Sequence, residues 1–260
     1  MGHIRLGTLP RTRKWIQVLD LISGGAGTPE VAAATMQASQ EGLIEAAKDP
    51  ALAHTVWLLS QLPLAARGED FVPALRKLGL KVSNSPSLLE VVGAFTGAVD
   101  AHVRQSGGRT DLGEMAQLAA AETLTALGRP KTESLFGTTA ADVQQAFKSF
   151  ATTKQFSSLA REFFSRLTKR YLASFLSREL SNYVSGDGHF RSIDQHTEFN
   201  EALDLHCRQA TRIIEEFSGG WFSKTNFLEG DISPDKAAGF VHVAMKKLRE
   251  EFAKGHAHEP

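Results

Sequence analysis

Between Phe156 and Val184 apolar side chains recur at spacings of three and four: Phe156, Leu159, Phe163, Leu167, Tyr171, Phe175, Leu176, Leu180, Tyr183 and Val184. That period is an apolar stripe along one long amphipathic helix. Upstream, helix punctuation repeats. Thr28-Pro29-Glu30, Asp49-Pro50, Ser85-Pro86, Thr110-Asp111, Thr138-Thr139, Ser192 or Asp194, and Ser233-Pro234-Asp235 each combine a capping side chain with a proline or an acid at a helix start. These starts predict helices from Thr28 to Lys48, Ala51 to Leu62 with Pro63 as the stop, Glu69 to Leu78, and Pro86 to Arg104. Further helices are expected from Asp111 to Leu127 with Gly128 as C-cap, from Asp142 to Phe150, through the stripe, from about Asp194 to Phe217, and from Pro234 to about Lys254. Trp15 to Ile22 is short enough to be strand or helix.

Strand-like alternation is scarce, so the expected fold is all-α, a multi-helix globular bundle of about nine or ten helices. No constant repeat period supports a solenoid. The segment from Gly128 to Gly137 suggests a boundary between two packed lobes. Residues 1–128 would form an Ala-rich, mildly acidic lobe, and residues 138–260 a Phe-rich lobe carrying the long basic helix; a single domain remains the alternative.

Composition narrows the classes. The 260 residues are 42% hydrophobic, enough for a sizeable core, and 29 basic residues balance 29 acidic ones. Zero net charge argues against a protein that coats nucleic acid through overall charge. Cys207 is the single cysteine, so no intrachain disulfide can form. The first residues lack a signal peptide's apolar core, Leu6 stands where a myristoylation signal needs Ser or Thr, and no apolar run reaches the ~20 residues of a membrane span. A cytoplasmic protein is the expectation.

The local charge is uneven. Lys148, Lys154, Arg161, Arg166, Lys169, Arg170 and Arg178 lie on or just before the stripe helix, opposed up to Arg178 only by Glu162. With the stripe buried, these cations are left to meet the acidic N-terminal half, a protein partner, phosphates or anionic lipid. Arg161, Arg166, Lys169, Arg170 and Arg178 are therefore partner-binding candidates. Trp221, Phe222 and Lys224 join them. The run Ser218 to Phe227 places aromatics between glycines and polar residues, and reads as a long loop that either plugs the core or anchors a partner.

The richest polar cluster is Asp187, His189, Asp194, His196, Glu198, Glu201, Asp204, His206 and Cys207. His189, Asp194, His196 and His206 are candidate metal ligands or acid–base groups, yet no His-Glu-x-x-His or Glu-x-x-His pairing occurs. Cys207 beside His206 reads as a small buried hydrophobe, since adjacent helical residues point ~100° apart. Gly24-Gly25-Ala26-Gly27 matches neither a P-loop nor a dinucleotide fingerprint, and no Gly-x-Ser-x-Gly elbow exists. No cofactor is expected. The leading reading is a non-enzymatic helical interaction protein, an adaptor, accessory or regulatory subunit of a larger cytosolic assembly. The alternatives are a metal-dependent or acid–base enzyme centred on residues 187–207, and nucleic-acid or anionic-lipid binding through the helix 154–178.

Overall fold

A computed structural model of the chain describes residues 12–24, 26–106, 108–132, 139–183 and 193–254; the side chains of 23, 28, 175–183, 193–196, 199 and 229 lie outside that description. Twelve helices form among these residues and no strand does, so the all-α class holds with more helices than the nine or ten expected. In chain order they are α1 (Arg13–Gly24), α2 (Thr28–Ala38), α3 (Gln40–Ala46), α4 (Pro50–Ala65), α5 (Phe71–Lys77), α6 (Leu88–Gln105), α7 (Asp111–Thr132), α8 (Ala140–Ser149), α9 (Thr153–Tyr183), α10 (Ile193–Ala210), α11 (Arg212–Glu229) and α12 (Pro234–Lys254).

The starts follow the local chemistry. Asp49 accepts the Leu52 N–H at 2.9 Å with Pro50 at the first helical position. Ser87 accepts the Glu90 N–H at 3.1 Å, and Thr139 with Asp142 closes a reciprocal capping box. The extra helices come from three places. Trp15 to Ile22 is helical. The run from Thr28 breaks at Ser39, whose buried hydroxyl donates to the Met36 carbonyl at 2.8 Å. Ser218 to Phe227 is not a loop but the body of α11.

Two helices outrun their expected stops. Helix α4 passes Pro63 and ends at Ala65. Proline costs a helix interior roughly 3 kcal/mol, but α4 buries Leu52, Val56, Leu58, Leu59 and Leu62 on nearly all sides, and that burial outweighs it. Helix α7 passes Gly128 and Pro130 to Thr132. Gly128 is not a C-cap: a Cβ there would lie 2.9 Å from Leu88 Cδ1, so the glycine makes room for α6.

Helix α4 packs against α6, α7, α8 and α12, while α9 lies against α7, α10 and α11. One cluster of buried apolar side chains includes Trp15, Leu52, Phe95, Phe163, Phe240 and Phe252. It runs without a break past the boundary expected at 128–137, whose first residues lie inside α7 and whose remainder falls mostly outside the described residues. Trp57 Nε1 and Gln61 Nε2 of α4 both donate to the Ile232 carbonyl at 2.9 Å, which pins the α11–α12 connection to the N-terminal half. Among the described residues no helix is long and apolar enough to cross a membrane.

Candidate functional site

Helix α9 buries its stripe as far as Tyr171, and the side chains of its later members lie outside the described residues. Phe156, Leu159, Phe163, Leu167 and Tyr171 are all buried. Phe156 stacks on Phe222 with centroids 4.0 Å apart, and Trp221 stacks on Phe240 at 4.3 Å. Phe222 is therefore a core residue at 1% exposure, Trp221 is half-buried, and only Lys224 of the three projects into solvent. The expected loop is a helix because Gly219 lets α11 press onto α9: a Cβ at Gly219 would collide with the Thr153 carbonyl and the Ser157 hydroxyl. The glycines that read as loop residues mark a close helix crossing.

The cations on the other face of α9 have partners on three different helices. Arg161 pairs with Glu215 of α11 at 2.6 Å and donates to the Arg208 carbonyl at 3.1 Å. Arg166 pairs with Glu162 at 2.7 Å and with Glu122 of α7 at 3.5 Å, and Arg170 pairs with the same Glu122. Lys169 pairs with Asp204 of α10 at 3.0 Å, and Arg208 reaches Asp204 at 2.8 Å and Glu162 at 3.6 Å. Five cations thus meet four carboxylates, Glu122, Glu162, Asp204 and Glu215, and the local positive charge is mostly neutralised within the chain. Burial by itself would raise the Asp204 pKa, but hydrogen bonds from Arg208 and Lys169, and their charges, hold it below its usual range. The Arg178 side chain lies outside the described residues.

Only part of the polar cluster at 187–207 lies within the described residues. His189 lies outside the described residues, as do the side chains of Asp194 and His196. Ten residues of α10 separate His196 from His206, roughly 15 Å along the axis, too far for one ion held on a single helix. His206 instead edges a cavity of about 200 Å³ between α2, α10 and α12, with Met36, Ala210 and Phe252 below and Glu251 and Lys254 at the mouth. Among the described residues no group of three His, Cys, Asp or Glu side chains is placed to hold a metal. Cys207 is fully buried; burial first, then the Asp204 charge, pushes its thiol up to about 12, with Lys169 acting weakly the other way. Such a thiol is not a nucleophile at neutral pH.

One feature escaped the sequence, and another stood out there only as the end of a supposed loop. An open groove of about 560 Å³ lies between α7 and α9, lined by Ala121, Glu122, Thr125, Ala126, Arg129, Pro130 and Arg166. Leu118, half-exposed, continues the same face of α7, since 118, 121, 122 and 125 follow helical spacing. At the groove's α9 edge Arg166 Nε is buried and finds no hydrogen-bond partner among the described residues, and the same holds for Arg170 Nε one turn on. The second feature is the end of α11, where Phe227 is 85% and Leu228 65% exposed just before Gly230 closes the helix at φ 73°. No known family model, characterised protein or solved structure matches the chain.

Proposed function

We propose that the chain is a non-enzymatic interaction protein, an adaptor or accessory subunit of a larger cytosolic assembly, and that its protein-docking surface is the α7–α9 groove. The observation that carries this reading is the shape of that groove. Small side chains, Ala121, Thr125 and Ala126, form its floor, Leu118 extends the apolar strip, and Arg166, Arg129 and Glu122 supply polar edges. From Leu118 to Pro130 the strip follows α7 for roughly 18 Å, about three helical turns. Small floors of this kind let a partner helix lie close, with anchors at spacings of three and four.

The role of the α9 cations changes accordingly. Arg161 and Lys169 hold the bundle together through Glu215 and Asp204. Arg166 and Arg170 orient Glu122 at the edge of the groove. Reversing their charge would disturb the fold along with any docking, so the groove floor is the place to test.

The test is site-specific photo-crosslinking in the protein's own cells, with the crosslinker at position 125 and, as a control, at exposed Lys81. A discrete protein adduct at 125 that is missing at 81, and that vanishes when Ala126→Trp fills the groove, is the expected result. Identical patterns at both positions, or an adduct indifferent to the tryptophan, would refute the groove.

A further inference from the structure

Several cations that form no ion pair among the described residues stand at the end where α8 turns into α9 and α11 stops. Helices α9 and α11 run antiparallel: Arg161 meets Glu215, Ser157 faces Gly219, and the Thr153 and Ser223 hydroxyls are 2.6 Å apart. One turn beyond Ser223, Phe227 and Leu228 therefore project past the start of α9. Lys224 stands beside them, Lys154 on the first turn of α9, and Lys148 on the last turn of α8, all exposed. Lys131 lies 5.5 Å from the Phe150 ring in the same turn region, and Arg67 donates to the Ala151 carbonyl. Among the described residues none of these five cations forms an ion pair, in contrast to Arg161, Arg166, Lys169 and Arg170. The carboxylates of the neighbouring segments are Glu69, Asp70, Glu229 and Asp231; Glu229, whose side chain lies outside the described residues, follows Leu228 directly.

From this juxtaposition we infer that the α11 end is a peripheral docking surface for an anionic lipid bilayer, separate from the α7–α9 groove. The two parts need each other. A projecting Phe-Leu pair enters the headgroup–acyl boundary, and lysines around it attract the negative surface potential, the paired signals that reversible membrane docking requires. Lysine's compact, rotatable ammonium suits a field of headgroups without fixed geometry, whereas a built carboxylate or phosphate site would use the arginine fork. Nucleic acid would match the charge, but it offers Leu228 no apolar phase and Phe227 no second aromatic for a stacking platform.

The experiment is cosedimentation of the full chain with vesicles of phosphatidylcholine alone and of phosphatidylcholine with phosphatidylserine at about three to one. Two variants accompany it, Lys148→Glu/Lys154→Glu/Lys224→Glu and Phe227→Ser/Leu228→Ser; all five side chains are exposed, and circular dichroism checks that both keep their helicity. The wild type should sediment only with the phosphatidylserine vesicles, less so as salt rises, and each variant should weaken that binding about tenfold or more. The inference is overturned if the wild type ignores these vesicles, if binding survives either variant unchanged, or if the same lysines capture a single-stranded oligonucleotide while vesicles stay unbound.

Discussion

The imidazoles of His54 on α4 and His102 on α6 lie face to face, their centroids 3.7 Å apart and their planes 6° from parallel. Ser106 Oγ sits 3.2 Å from His102 Nε2, and Trp57 tilts against His54 at 5.2 Å. Burial first, and the neighbouring His102 second, lowers the His54 pKa from 6.5 to about 4; burial also lowers that of His102. Stacked rings so close cannot both carry charge without repulsion, so the folded chain keeps them neutral.

A loss of stability in acid follows. Below pH 6.5 the unfolded chain takes up a proton at His54 and the folded chain resists it down to about 4, so stability falls over that window, with His102 acting in the same direction. With allowance for solvent screening at this half-buried pair, the loss is on the order of 1–2 kcal/mol. Urea midpoints at the two ends of that window measure it. His54→Gln should flatten most of the profile, because burial of His54 is the larger cause, and an unchanged slope in that variant would assign the effect to other groups.

Adjacent glycines on α11 should respond oppositely to alanine. Gly220 has nothing near its missing Cβ, so Gly220→Ala should stabilise by roughly 0.5–1 kcal/mol through helix propensity. At Gly219 the same gain meets the Thr153 carbonyl, which cannot yield without moving α9. Overpacking of this kind costs about 1–3 kcal/mol or more, so Gly219→Ala should lower the denaturation midpoint. Two equal shifts would show that the helices are not in contact there.

Glu122 is the shared carboxylate of Arg166 and Arg170, and its removal leaves two guanidinium groups facing each other. Glu122→Ala should cost about 1–2 kcal/mol, limited by partial exposure and reduced in high salt. Glu45, paired with Lys48 at 2.8 Å on the open surface, should matter by less than about 0.5 kcal/mol. Thermal melts of the two variants side by side at low and high salt make the comparison.

Cys207 should resist thiol reagents while the chain is folded. It is fully buried and its thiol is raised to about 12. Labelling by a maleimide should therefore follow the global unfolding rate as urea is added. Rapid labelling in water would mean that α10 opens on its own.

Caps were the most readable part of the fold. Asp49-Pro50 and Thr139 with Asp142 act within one turn, so neighbouring residues suffice to place them, whereas the α6 cap is Ser87, two residues past the start expected at Ser85-Pro86. The α9 stripe was readable because burial imposes its period on the chain. Gly128 and Gly219 were misread because their reason is a side chain or carbonyl far away in sequence, Leu88 in one case and Thr153 in the other. The basic helix looked unbalanced for the same reason: Glu122, Asp204 and Glu215 sit on separate helices and reach the arginines and Lys169 only in the folded state. The groove had no local signal at all, and Phe227 stood out only as the end of a run that read as a loop.

The pinning of α9 to α7, α10 and α11 makes the two halves of the chain mutually dependent in synthesis. A ribosome that has finished α7 has not yet supplied the helix that packs on it, so the nascent N-terminal half must hold that apolar surface open until α9 emerges. Cut between residues 132 and 139, the two pieces should be recovered together from a shared expression and lost to aggregation when made apart, a complementation that ties yield to stoichiometry.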